Sequence, residues 1–528
     1  MSRRSALGAC CLAWVIALGG ATTGCADHDA SPTARHFTRE QLLDAETCRG
    51  CHSDHYREWA GSMHAYASQD PVFLAMNRRG QQETHGELGG FCVGCHAPLA
   101  LREGATTDGL NLADVPKPLQ GVNCYFCHNV DSVQGSHNNP LRLAGDVTLR
   151  GGIADPRPNA AHRSAYSDLF SSPKVDSATL CGSCHDVTVP SPPGPTELHL
   201  ERTFEQWQAS IFSPPQAADD SAALSCNGCH MLPTTGVPIA DGLGPSAPLR
   251  ARHAHTFAGV DVALGTFPDT GDADVDRASA DQQRAELERL LDSTLRLEVC
   301  VLKRFTGDAT LKVTLDNATA GHHFPTGAAQ DRRAFVEVRA FASGSDTPFY
   351  EAGVVPEDNG VASLDDPDLW LLRDRLLDAN GAEVHQFWQA TELKEATLPV
   401  ATSLDPLSPG FIAGHAVRQF PTQGQLQATP ERVTVRVRLE PIGREVLSDL
   451  VESGHLDEAD AQTVTHDLLP NRHLATAQGA APELATLGSV SFEWGPATRD
   501  HGNFRRTMQT TTLGVEECLG MPGRPAPR

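Results

Sequence analysis

The sequence contains few aromatic residues, fewer basic than acidic residues, and no long apolar run beyond its N-terminus. Its 528 residues include only 19 Phe, 6 Trp and 5 Tyr, so large core side chains are scarce. Lys and Arg number 42 against 66 Asp and Glu, and the resulting net charge of −24 argues against a nucleic-acid partner, whose phosphates require basic residues. Apolar residues make up 40%, so the chain is not disordered in bulk.

The N-terminus has the pattern of an export signal. Two arginines precede an apolar run from Ala6 to Gly20, and small residues follow up to Cys25. This arrangement is typical of a secretory signal, and the run is too short for a membrane span. We assign residues 1–25 as a signal peptide. Thr22 to Cys25 resembles a bacterial lipobox, which implies a lipid on Cys25, and ordinary cleavage to a soluble protein is the alternative. Without residues 1–24, which include two arginines and no acidic residue, the net charge is −26.

The chain has 15 cysteines, an odd number that disulfides cannot pair completely. Ten of them lie in five copies of Cys-x-x-Cys-His, numbered motifs 1 to 5 in chain order. This pentapeptide is the attachment signature of c-type haem, in which two thiols bind the porphyrin and the histidine binds the iron. Zinc ribbons would leave the five histidines without a role. We predict five c-type haems attached at Cys48, Cys51, Cys92, Cys95, Cys124, Cys127, Cys181, Cys184, Cys226 and Cys229, with iron ligands His52, His96, His128, His185 and His230.

The segment beginning at motif 1 resembles the multihaem cytochromes of the cytochrome c554-like family. Trp59 and then Ser62-Met-His64 follow the motif, where the family has a Trp and a Ser-x-His whose histidine binds a neighbouring haem. Segments 121–186 and 203–233 also resemble this family, and the likeness covers roughly residues 45–260. It implies that His64, His162 and His255 are distal iron ligands.

The other distal positions have weaker candidates. His85 and His137 lie between motifs and are predicted as distal ligands, although no family segment contains them. Histidines outside the motifs are numerous enough to give every iron two, whereas six methionines are too few for mostly His/Met ligation. Residues 317–327 resemble a segment in the C-terminal domains of many multihaem cytochromes. We interpret this segment as a turn between strands, with an approach of His322 to a haem as the alternative.

The fold predicted is multidomain: a loop-rich, mainly α multihaem cytochrome domain over residues 26–265, then a mainly β domain over 294–500. An acidic linker and a helix starting near Ser279 occupy 266–293, and residues 501–528 form a C-terminal tail. Alternating apolar and polar residues predict half-buried antiparallel strands at 295–301, 311–315, 335–341 and 433–439, with a late strand at 489–494. We expect an immunoglobulin-like sandwich, with short helices near 443–453 and 457–468. Cys300 and Cys518 could form one disulfide or remain thiols.

These features favour an electron carrier over a catalyst. Two histidines on each iron leave no coordination position for a substrate, and closely spaced haems conduct electrons. The alternative is a redox enzyme that acts on nitric oxide, nitrite or hydroxylamine at one haem with an open position. We expect redox proteins as donors and acceptors, no nucleic acid, and an exported chain in the periplasm or at the outer membrane.

Overall fold

A computed structural model describes residues 36–174, 176–214, 223–260, 267–303, 306–317, 319–354, 365–405, 407–461, 492–494, 506–510 and 524–525. The predicted signal peptide, the lipobox and Cys518 lie outside these residues. Among the described residues, no helix is long and apolar enough to cross a membrane.

The first half of the chain consists of short helices joined by loops and two-stranded sheets. Turn-forming residues interrupt it often, as the composition predicts. The helices are α1 Arg39–Leu43, α2 Ala45–Arg49, α3 Ser53–Ala60, α4 Met63–Tyr66, α5 Pro71–Glu83, α6 Val93–His96, α7 Pro98–Arg102, α8 Cys124–His128, α9 Ser177–Gly182, α10 Thr203–Ala209 and α11 Cys226–His230. The paired strands are β1 Val130–Val133 with β2 Leu141–Leu143, β3 Thr148–Gly151 with β4 Arg163–Tyr166, β5 Val187–Val189 with β6 Leu198–Glu201, and β7 Pro233–Val237 with β8 Arg250–His253.

A long helix, α12 Ala273–Thr294, connects the two halves and contacts both. It begins six residues before the predicted start at Ser279, because the Asp272 carboxylate caps it by accepting from the backbone N–H of Asp274 and Val275. Leu287 and Leu291 enter the core of the second half. On another side, Gln283 donates to the carbonyl of Thr256 at 2.9 Å and holds the helix against the first half.

The second half contains two five-stranded sheets and a small three-stranded one. The first has the order β20-β9-β10-β17-β21, the second β12-β11-β18-β19 with β13 also on β11, and the third β15-β14-β16. The elements are β9 Arg296–Lys303, β10 Ala309–Asp316, β11 Arg333–Phe341, β12 Pro348–Ala352, β13 Trp370–Leu372, β14 Arg375–Leu377, β15 Glu383–Val384, β16 Glu392–Lys394, α13 Pro409–Ala413, β17 His415–Phe420, β18 Arg432–Glu440, α14 Arg444–Glu452, β19 Phe492–Trp494, β20 Arg506–Thr510 and β21 Arg524–Pro525.

The two large sheets share one apolar core, to which each contributes side chains from its central strands, among them Val299, Leu311, Val336 and Val435. A β-rich second half and its four main strands are therefore confirmed, while the immunoglobulin-like topology stays a prediction. The predicted helix near 443–453 is present as α14, and the one near 457–468 lies mostly outside the described residues.

The central strand β11 is more deeply buried than its alternating sequence indicated. The prediction of half-buried strands places Glu337 on a solvent-facing side, yet this residue is buried. Arg438 on the neighbouring strand is buried as well, and its guanidinium lies 3.0 Å from the Glu337 carboxylate. Because each charge compensates the other, these polar side chains of β11 and its neighbouring strand can be buried away from water.

Ion pairs and hydrogen bonds join the β-rich half to the first half. The Arg202 guanidinium lies 2.7 Å from the buried carboxylate of Asp374. At a second point, Arg79 lies 3.0 Å from Asp449 of α14, and apolar residues of α5 and α14 pack beside this pair. The backbone N–H of His323 donates to the Gln206 side chain at 3.1 Å. The second half therefore forms part of the walls around whatever the first half binds.

Candidate functional site

All five motifs line one continuous cavity of about 2330 Å³. Sites for one small ligand occupy roughly 300–1000 Å³, so this cavity has room for several large groups. The cysteines and the histidine of every motif reach its surface. The β-rich half also contributes to the wall through residues 319–328 and through His385.

One turn of helix brings the three functional side chains of a motif together. In motif 1 the backbone N–H of His52 donates to the carbonyl of Cys48 at 2.8 Å, and the same bond joins His185 to Cys181 at 3.1 Å in motif 4. Motif 3 has a capping residue, because the Asn123 side chain accepts from Phe126 N at 2.9 Å. The spacing of the cysteines and the histidine thus follows from local helix geometry.

Four motif histidines each face a second histidine across the cavity. Their ring centroids are 6.1–6.5 Å apart. A metal–imidazole bond is about 2 Å and each centroid lies about 1 Å behind its nitrogen, so two imidazoles on one iron have centroids about 6 Å apart. The pairs therefore fit a shared haem iron. They are His52 with His162, His128 with His255, His185 with His64, and His230 with His322.

Backbone carbonyls orient many of these rings. The Nδ1 atom of His52 lies 2.8 Å from Ile239 O, that of His128 lies 2.6 Å from Arg150 O, and that of His255 lies 2.9 Å from His253 O. A hydrogen bond from Nδ1–H to a carbonyl leaves Nε2 unprotonated and directed away, as a metal ligand requires. Nδ1 atoms of His96, His162, His230 and His322 have the same kind of partner.

Burial also keeps three of the facing histidines in the neutral form that binds metal. It lowers the pKa of His64 and of His255 to about 3, and nearby histidines contribute to the effect. The pKa of His322 falls to about 4, again mainly through burial. Since a protonated imidazole has no lone pair for iron, all three rings are prepared for ligation at neutral pH.

The histidine of motif 2 has a different neighbour. Phe73 of α5 stacks on the His96 ring with centroids 4.0 Å apart and planes 3° apart. Within the described part of the chain, no histidine ring lies across from His96 at the separation found at the other four motifs. Motif 2 therefore offers one histidine ligand where each of the others offers two.

Contacts between thiols show which motifs are neighbours. The Cys48 thiol of motif 1 lies beside that of Cys124 of motif 3, and the Cys95 thiol of motif 2 lies beside that of Cys184 of motif 4. The Cys181 thiol of motif 4 also lies beside that of Cys226 of motif 5. Burial raises the pKa of Cys127 of motif 3, and both cysteines of motif 4 lie near enough for their charges to raise it further. The motifs therefore form the sequence 1, 3, 4, 5, with motif 2 branching from motif 4.

The structure places three of the predicted distal histidines opposite a motif histidine, namely His64, His162 and His255. It does not bring His85 and His137 to any motif: both are exposed and neither lines the cavity. The prediction for these two followed only from their position between motifs. His322, which we interpreted as part of a turn, instead faces His230 at 6.5 Å. Its segment at 317–327 was the signal that could have identified it.

The structure shows the state of the ten motif cysteines. Cys51 of motif 1 is disulfide-bonded in this structure, and a thioether at its sulfur requires that bond to be reduced first. The possible pairing of Cys300 with Cys518 involves a residue outside the described part of the chain and stays a prediction. The remaining nine motif cysteines are free thiols.

Comparisons with known proteins agree with this geometry. Residues 47–129 match the family model described as cytochrome c554 and c-prime. The fold is similar to that of a penta-heme cytochrome c552 from Thermochromatium tepidum, with a TM-score of 0.51 and 19% sequence identity, over 80% of this chain and 96% of that one. No curated protein matches the sequence. Residues 47–129 are thus similar to the cytochrome c554 family, and the fold is similar to that of a multihaem cytochrome, in agreement with the five attachment motifs and the facing histidines.

Proposed function

We propose that the chain binds five c-type haems and transfers electrons between redox proteins outside the cytoplasm. The main support for this proposal is the set of four histidine pairs, each at the separation that one iron requires. Irons with two histidine ligands have no position for substrate and serve electron transfer. The haems supply the redox chemistry, and the protein holds them and sets their potentials.

The thiol contacts support a route through the protein. Since haem edges lie beside the attached sulfurs, neighbouring motifs bring their haems close enough for electron transfer. Motif 1 and motif 5 lie at the two ends of the main series, and motif 4 connects that series to motif 2. Electrons that enter at either end therefore reach motif 2 through motif 4.

Haem content and spin state test this proposal. The holoprotein should contain five haems by pyridine haemochrome assay and by intact mass. Electron paramagnetic resonance of the oxidised protein should give four low-spin haems and one high-spin haem. A double variant Cys92→Ala/Cys95→Ala should retain four haems, all low-spin. Fewer than five haems in the wild-type protein, or two or more high-spin haems, would contradict the proposal.

A second function, catalysis on a small nitrogen compound, is favoured by one specific observation. His96 faces no second histidine among the described residues, and we infer from this that the haem of motif 2 has an open sixth position. Nitric oxide, nitrite or hydroxylamine can reach an iron of this kind, whereas the other four irons are blocked. Rapid binding of nitric oxide to one reduced haem would support catalysis, and binding should disappear in the Cys92→Ala/Cys95→Ala variant. If no haem binds an added ligand, the chain is a carrier alone.

Location and partners follow from charge and the N-terminal pattern. We infer export by residues 1–25 and attachment to the outer membrane by a lipid on Cys25. Soluble partners should present basic surfaces, because the chain without its signal has a net charge of −26. The rate of reduction by such a partner should fall as salt rises, and a salt-independent rate would contradict electrostatic docking. Cys25→Ser should release the protein from membranes, which separates lipidation from ordinary cleavage.

A further inference from the structure

Residues 255–258, which we call the ligand segment, contact the histidines of three motifs. His255 is itself the histidine that faces motif 3. The ring of Phe257 packs on that of His64, the histidine that faces motif 4, with ring centroids 4.5 Å apart. The carbonyl of Ala258 lies 3.3 Å from Nδ1 of the motif 5 histidine. Four consecutive residues therefore contact the proposed ligands at motifs 3, 4 and 5.

Phe257 is the contact that orients His64. At the other three facing histidines a backbone carbonyl lies within hydrogen-bond distance of Nδ1. Among the described residues, no carbonyl has this contact with the His64 ring. The Phe257 ring packs on His64 instead, with planes 49° apart, and it also meets the ring of His255 edge-on at 5.4 Å. A displacement of Phe257 would therefore allow His64 to turn.

The backbone of the ligand segment is strained at Phe257. Its φ angle is 44°, in the left-handed region that residues with a side chain seldom occupy. This conformation costs free energy and persists only where the surrounding structure holds it. Thr256 and Ala258 on either side are buried, so the strained residue is enclosed by packed neighbours. The ligand segment therefore needs contacts from other elements to keep its shape.

Gln283 of α12 supplies one such contact. Its side-chain amide donates to the carbonyl of Thr256 at 2.9 Å. This carbonyl belongs to the peptide unit that precedes Phe257, so the bond fixes the plane on which the φ angle of Phe257 depends. The helix is closely seated at this point, because a Cβ at Gly61 would collide with the hydroxyl of Ser279. Direct contact between α12 and the backbone after α3 thus holds Gln283 in place.

A second bond fixes the start of the ligand segment. The Glu58 carboxylate accepts from the backbone N–H of His255 at 2.8 Å, and the Arg252 guanidinium lies 3.4 Å from the same carboxylate. Glu58 belongs to α3 and Arg252 to β8, so both lie in the first half. Gln283 differs from them because it belongs to the helix that connects the two halves.

We propose that Gln283 is a positioning residue that holds Phe257 in its strained conformation and thereby orients the ligands at motifs 3, 4 and 5. This inference rests on the proposed function, since it concerns irons with two histidine ligands. Motif 1 provides an internal reference, because the Nδ1 atoms of its two histidines lie beside carbonyls outside the ligand segment. Outer contacts of this kind fix the orientation of a metal-binding imidazole.

Electron paramagnetic resonance of the oxidised, five-haem protein tests the proposal, because the g values of a low-spin haem depend on the angle between its two imidazole planes. These angles are 33°, 21°, 45° and 19° at motifs 1, 3, 4 and 5. Gln283→Met removes the donor at similar volume and should shift the g values of three low-spin signals. The fourth signal, from motif 1, should stay unchanged, and it is identified as the one lost in His162→Ala.

Three further variants separate positioning from general support of the fold. Gln282→Met makes the same replacement one residue earlier on α12, leaves every hydrogen bond given above in place, and should change no signal. Gln283→Lys keeps a donor for the Thr256 carbonyl and should keep all four signals at their wild-type positions. Gln283→Glu replaces the donor with an acceptor of the same size and should shift the same three signals, so it serves as the test if Gln283→Met fails to fold.

Two outcomes overturn the inference. Unchanged g values in Gln283→Met and Gln283→Glu would mean that the ligand segment keeps its shape without this bond. A shift of all four signals, motif 1 included, would mean that Gln283 supports the packing in general and not these ligands. Failure of the proposed function looks different, because the wild-type protein would then have fewer than five haems or fewer than four low-spin signals.

Discussion

Replacing His322 with alanine gives the most direct test of how the β-rich half takes part in haem binding. His322 faces His230 of motif 5, with ring centroids 6.5 Å apart. The ring is oriented by its Nδ1 contact with His323 O at 2.9 Å. Alanine removes one imidazole and leaves a space of that size on the distal side of one iron. Of the four expected low-spin haems, one should become high-spin, which leaves three low-spin and two high-spin.

Electron paramagnetic resonance of the oxidised holoprotein measures this change, and added imidazole provides a second measurement. Imidazole should fill the space and restore four low-spin haems, which a purely structural role for His322 does not predict. His137→Ala removes an exposed histidine from outside the cavity and should leave the spectrum unchanged. A His322→Ala protein that keeps four low-spin haems without imidazole would refute the assignment.

Three further changes test the packing and electrostatics around the site. Arg202→Ala leaves the buried carboxylate of Asp374 unpaired and should reduce the free energy of unfolding by about 3–5 kcal/mol in a denaturant titration. Asn123→Ala removes the cap of motif 3's helix and should lower the free energy of unfolding by about 1 kcal/mol in thermal melts. Burial raises the pKa of Glu440 to about 8, so its ionisation costs more in the folded state than in the unfolded state. The contribution of Glu440 to stability should therefore fall as pH rises from about 5 to above 8. Glu440→Gln should remove this contribution, which the difference between wild-type and variant unfolding curves across that range measures.

The attachment motifs could be predicted from sequence because they are local. The two cysteines and the histidine of a motif lie within five residues, and one helical turn brings them together whatever surrounds them. The four long alternating strands were also predictable from their residues alone. The burial of Glu337 was not predictable in this way, since it depends on Arg438, which is distant in the sequence and lies on a neighbouring strand.

Distal ligands are a long-range property, and sequence position predicts them poorly. His64 faces His185, and family resemblance was needed to single it out. His85 and His137 had only their place between motifs to support them, and both side chains are exposed. His322 lies beyond the region of resemblance that contains the motifs, in a segment that also serves as a turn between strands. Only the packing of the two halves against each other places it opposite His230.

Because His322 belongs to the β-rich half, which is synthesised after the motifs, its position also has a consequence for how the protein matures. Haem attachment needs only the local motif, whereas the facing histidine of motif 5 arrives with a part of the chain that is synthesised later. If the proposed haem is attached at motif 5, its iron would acquire the second ligand only after the β-rich half has folded and docked. The spin state of that haem would then report on assembly, since a high-spin signal from it would mark chains in which the docking is incomplete.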